Sequence, residues 1–136
     1  AWYGQDDLGT RIVVPASLES SGAHTAEFIP RPVRAASVQG RIQGEILEMY
    51  DLTSEQYDSL VRLSTTLCQL FPKIQPDAPR DRGGHVRTDA LTASELRSFQ
   101  GILGHFHVSI DKADPGPAFD WQAFLARVRT RVAASN

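Results

Sequence analysis

The stretch from Thr53 to Pro72 constrains the fold more than any other part of the chain, because it carries a helix signal at both ends. Thr53 is followed three residues later by Gln56, a capping box in which each side chain satisfies a free amide of the other residue. Tyr57, Leu60, Val61, Leu67, Cys68 and Phe71 then recur at helical spacing. Pro72 lacks the N–H that a further turn needs. A helix over 54–71 with an apolar face must bury that face against other elements, so the chain has to build a layered core.

The other elements follow from similar signals. Thr92 and Glu95 form a second capping box, and Leu91 and Leu96 sit where a hydrophobic staple places them, so a short helix is expected before Gly101. A third helix is expected from a cap at Asp120, with Trp121, Phe124, Leu125, Val128 and Val132 on one face. The apolar run from Ile102 to Val108 reads as a buried strand. A second strand is expected over 42–49, and a short one over 11–14, closed by Pro15. Residues 1–41 read as a loop-rich insertion with that one short strand, and residues 42–136 as the body of the domain. The fold class expected is α/β, a mixed central β-sheet flanked by α-helices.

With 136 residues, 41% of them hydrophobic and 22% charged, the chain suffices for one domain with a modest core. A net charge of -2 argues against a general electrostatic grip on nucleic acid. No apolar run reaches the length of a membrane span. The single cysteine, Cys68, excludes an internal disulfide and falls on the apolar helix face, where core packing explains it better than nucleophilic chemistry. There is no Gly-x-Ser-x-Gly nucleophile motif, and Arg82-Gly83-Gly84-His85 lacks the spacing of a phosphate-binding loop. His24 and His85 sit in glycine-containing loops and read as surface residues. Glu45 and Glu48 are explained by an exposed strand edge. Trp121 is better explained as core than as a platform for sugar, though Trp2 and Tyr3 remain candidates for stacking.

The segment from Gly104 to Trp121 is where chemistry concentrates. On a strand, His105 and His107 at i and i+2 project to the same face. Lys112 and Asp114 then lead into the rigid Asp114-Pro115-Gly116-Pro117 turn. Imidazole and carboxylate are good zinc ligands, and a lysine beside a metal can stabilise an oxyanion. On spacing alone the plainer reading is the stronger one: a hydrogen-bonded histidine at a strand end and an Asp-Pro turn starter.

This segment resembles the closing motif of the zinc amidase family that includes the bacterial N-acetylmuramoyl-L-alanine amidases and the peptidoglycan-recognition proteins. The match is Gly104-His105, then Lys112-Ala113-Asp114-Pro115-Gly116-Pro117-Ala118-Phe119-Asp120-Trp121. Leu52 to Tyr57 resembles the start of the family's first long helix and Phe71-Pro72 its end, so the likeness covers roughly residues 42–126. It implies zinc binding by His105 and Asp114 and oxyanion stabilisation by Lys112. His107 is a further candidate, for the substrate or beside the ligands. The implied reaction is hydrolysis of the amide between N-acetylmuramic acid and L-alanine in peptidoglycan or muropeptides, in a periplasmic or secreted setting if the protein is bacterial.

Two features depart from the family pattern. The loop from His105 to Lys112 is about one residue shorter than in the commonest members. Nothing before residue 42 resembles the early strand that carries the family's first zinc histidine. The opening Ala1-Trp2-Tyr3-Gly4 reads as an internal point of a longer polypeptide, and the chain as the C-terminal portion of the amidase domain. The expected partner is therefore an upstream chain or segment that supplies the missing histidine. The alternative is an inactive amidase-like subunit with a binding or structural role in a larger assembly.

Overall fold

The computed structural model describes residues 2–15 and 27–134, so His24 lies outside the described residues. The elements run β1 (Tyr3–Asp6), β2 (Gly9–Ile12), β3 (Val38–Ile42), β4 (Glu45–Met49), α1 (Ser54–Leu70), α2 (Ala93–Ser98), α3 (His105–Val108) and α4 (Trp121–Ala134). The content is mixed α and β. Among the described residues the strands form two separate antiparallel pairs, β1 with β2 and β3 with β4, and no single central sheet joins them.

Both capping boxes form as the spacing predicts. Thr53 accepts from the Gln56 amide at the start of α1, and Thr92 accepts from the Glu95 amide at the start of α2. α4 starts where expected, with Asp120 Oδ1 accepting from the Ala123 N–H at 2.9 Å.

The core lies between α1 and α4. Tyr57, Val61 and Cys68 of α1 pack with Phe124, Leu125 and Val128 of α4, joined by Ala78 and Phe119. The buried face of α1 is narrower than its apolar pattern suggests. Leu63, Leu67, Leu70 and Phe71 are exposed, because α4 covers only the Tyr57–Val61–Cys68 side.

A buried carboxylate ties the insertion to this core. Asp51 accepts from Arg34 Nε at 2.7 Å, from the Tyr57 hydroxyl at 2.8 Å and from the Leu52 amide at 2.8 Å. The Tyr57 oxygen in turn accepts from the Asp120 amide at 2.8 Å, and Arg34 also donates to the Ala118 carbonyl. A buried charge is tolerable only when paired and hydrogen-bonded, and Asp51 meets both conditions. The network fixes the start of α4 against the segment that enters α1.

Three expectations about strands are corrected. The insertion holds more than the one short strand expected over 11–14: β1, β2 (Gly9–Ile12) and most of β3 lie within residues 1–41. The run expected as one strand over 42–49 is the second half of a hairpin. Its tip is Gln43-Gly44, both with positive φ (52° and 83°), a geometry that suits the twist of paired strands. The run expected as a buried strand over 102–108 is extended only to Gly104, after which His105–Val108 make a single helical turn. A short run of this kind does not distinguish a strand from a buried helical turn by its pattern. Here Gly104 and the tertiary bonds described next decide for the turn.

Candidate metal centre

Gly104, the N-cap of α3, stands where no side chain fits. A Cβ there would lie 2.8 Å from Pro115 Cδ and 3.1 Å from Trp121 Cζ2. The following turn is held from both ends. At its start, His107 Nδ1 accepts from the Gly104 amide at 2.9 Å. That leaves Nε2 as the protonated nitrogen, and it donates to the Arg87 carbonyl at 2.8 Å. The His107 carbonyl accepts from the Leu91 amide at 2.8 Å. The ring is fully buried between Phe106 and Trp121, and burial holds its pKa below the ordinary value.

The turn aims its two histidines differently. Successive residues of a helix are about 100° apart, so the shared face expected for His105 and His107 on a strand is lost. His107 points into the protein, and both of its ring nitrogens are taken. His105 is exposed, and its Nδ1 lies 2.7 Å from Asp114 Oδ2. The main chain brings the two together: the Phe106 amide donates to the Asp114 carbonyl at 3.2 Å. The Asp114–Pro115 peptide bond is cis.

Lys112 lies on the same loop, exposed, with its ammonium 3.4 Å from Asp111 Oδ2. Ser109 and Lys112 together hold the Asp111 carboxyl below its usual range. Neither His85 nor Cys68 joins the group: His85 is an exposed loop residue 3.6 Å from Asp81, and Cys68 is buried in the core.

His105 and Asp114 are hydrogen-bonded to each other and reachable from solvent, and an imidazole nitrogen and a carboxylate oxygen are among the donor types from which a catalytic zinc draws its three protein ligands. Among the described residues no third His, Cys, Asp or Glu joins them. The pair fits the metal's donor preference and leaves its coordination to be completed. No family model, no curated protein and no solved structure matches this chain.

The cavity on one side of the pair is largely apolar. His105 and Asp114 stand at the wall of a cavity of about 300 Å³ whose other walls include Leu52, Leu60, Ile102, Leu103, Phe119 and Trp121. The Trp121 Nε1 hydrogen is buried with no acceptor among the described residues. The exposed Leu63, Leu67 and Leu70 continue along α1 beyond Leu60. The His105–Asp114 pair thus borders a largely apolar cavity.

The sequence reading missed Gln43, whose side chain reaches three points around α3. Its signal was available but weak: Gln-Gly between two strand-like runs is a less specific hairpin mark than Asn-Gly.

Proposed function

We propose that this chain is the C-terminal portion of a zinc-dependent amidase that hydrolyses the bond between N-acetylmuramic acid and L-alanine in peptidoglycan or muropeptides. The observation that carries the reading is the approach of His105 Nδ1 to Asp114 Oδ2 within 2.7 Å, inside the Gly-His and Lys-x-Asp-Pro-Gly-Pro motif. An exposed His–Asp pair stabilises a fold by roughly 0–1 kcal/mol. Stability alone is a weak reason for so many bonds to converge on the backbone beneath it.

In this reading His105 and Asp114 hold the zinc, and a further segment or chain supplies the remaining histidine. That segment also covers the apolar wall formed by Leu60, Ile102 and Leu103 and the leucines that extend along α1. Zinc, when bound, polarises the scissile carbonyl and lowers the pKa of a water. Lys112, exposed and two residues before Asp114 on the same loop, would leave Asp111 to place its charge near the oxygen that becomes negative. Asp114 contributes an anionic oxygen on a backbone stiffened by Pro115 and Pro117.

A second reading keeps the fold and drops the catalysis: an amidase-like subunit that binds or supports a larger assembly. The exposed leucines of α1 favour it, since apolar surface of this kind marks interaction sites. Zinc content and muropeptide hydrolysis of the natively purified protein, with every co-purifying chain identified, separate the two. About one zinc per copy with release of the peptide supports the amidase. Absence of both zinc and hydrolysis overturns it in favour of the structural subunit.

A further inference from the structure

Gln43 sits at the tip of the β3–β4 hairpin with φ of 52°, a conformation that glycine and asparagine adopt far more readily than glutamine. Nothing in the hairpin itself calls for glutamine. Its side chain does its bonding elsewhere. Nε2 donates to the Phe106 carbonyl at 2.8 Å and to the Ser109 carbonyl at 3.1 Å, and Oε1 accepts from the Ala90 amide at 3.1 Å. Its backbone amide donates to the Thr88 carbonyl at 2.8 Å.

The two carbonyls it meets belong to α3 and its C-terminal cap. A four-residue helix leaves its last carbonyls without intrahelical partners. Gln43 supplies a donor to each of the two from one amide group, and the Ser109 carbonyl also accepts from the Lys112 amide at 3.3 Å. The amide also has a defined orientation, because the reverse placement would set its oxygen against two carbonyls. The hairpin is in turn seated on the loop that carries Asp114: a Cβ on Gly40 would lie 2.8 Å from Pro117 Cβ. One hairpin therefore rests on both ligand-bearing segments, through Gln43 on the His105 turn and through Gly40 on the Asp114 turn.

We infer that Gln43 is a positioning residue for the metal pair: it closes the C-terminal end of the His105 turn and so holds the imidazole at Asp114. The inference rests on the zinc reading above for its consequence, and on the hydrogen bonds alone for its structural half. Residues that orient metal ligands typically change affinity by 10–100-fold when removed.

The test compares Gln43→Gly, Gln43→Glu and Val128→Ala with the parent, all natively purified. Gln43→Gly removes the clamp and relaxes the positive φ, so the hairpin keeps its turn. Gln43→Glu keeps the shape and turns an oxygen toward the two carbonyls. Val128→Ala lowers stability in the core, away from the pair. Two quantities are read: amide hydrogen exchange at Phe106, His107 and Ser109 without metal, and affinity for zinc alone by chelator competition. The expected result is exchange and zinc dissociation constants each raised about tenfold or more in both Gln43 variants. Val128→Ala should melt lower with its zinc affinity kept.

Unchanged exchange at the turn in Gln43→Gly overturns the inference whether or not zinc binds. So does a zinc affinity that falls equally in Val128→Ala, because the effect would then be one of general stability. A parent protein that takes up no zinc overturns the metal reading instead, and the exchange pattern still decides whether Gln43 holds the turn.

Discussion

The amide of Phe106 donates to the carbonyl of Asp114, so the residue after one candidate ligand is bonded through the main chain to the other candidate ligand. The two segments are eight residues apart at this contact, and the bond closes the intervening loop. His105 and Asp114 consequently meet through a backbone already in register, without relying on two long side chains finding each other.

If the pair holds zinc, removing either member should remove the metal. His105→Ala and Asp114→Ala are each expected to lose zinc, measured by metal analysis after dialysis against a weak chelator. Lys112→Ala should keep its zinc and slow muropeptide hydrolysis by about a hundredfold or more, as expected for a group that stabilises developing negative charge. Retained zinc in Asp114→Ala would sink the ligand assignment.

Gly104 is required by close approach to Pro115 and Trp121. Gly104→Ala must push the Asp114–Pro115 segment away from the His105 turn. The expected cost is about 1–3 kcal/mol in urea unfolding, together with weaker zinc binding. A variant as stable and as tight for zinc as the parent would show that the contact is slack.

His107 serves as a buried bridge with both nitrogens engaged. His107→Leu leaves the Gly104 amide and the Arg87 carbonyl without partners, a loss of about 2–4 kcal/mol. Chemical denaturation measures it, and a change below about half a kcal/mol would contradict the bridging role.

Burial pushes the Tyr57 hydroxyl above its ordinary value of 10.0; the bond it donates to Asp51 acts in the same direction, and the Asp120 amide opposes both. In the unfolded chain this hydroxyl ionises near pH 10, while in the fold it keeps its proton. The stability linked to it is therefore complete below pH 10 and is lost as the pH rises further, at up to about 1.4 kcal/mol per pH unit. Urea midpoints between pH 9 and 11 should fall in the parent more steeply than in Tyr57→Phe. Parallel slopes would show that Tyr57 is not the group responsible.

The sequence by itself determined the elements whose signals are local. Thr53 with Gln56, Thr92 with Glu95, and Asp120 before Trp121 are short-range chemistry, and each marks a helix start that the structure contains. The apolar spacing along α1 and α4 likewise pointed to the core that Val61, Leu125 and Val128 form. What it could not determine was the run from Ile102 to Val108, where strand and helical turn bury the same residues equally well. Bonds from distant parts of the chain decide that case: Arg87 and Leu91 to His107, and Gln43 to Phe106 and Ser109. The choice reverses the meaning of the two histidines, since on a strand they share a face and on this turn only His105 reaches Asp114. Local propensity is written in neighbouring residues, whereas the direction of a side chain on a four-residue turn is set by whatever satisfies its orphaned carbonyls, and those partners lie up to 66 residues away.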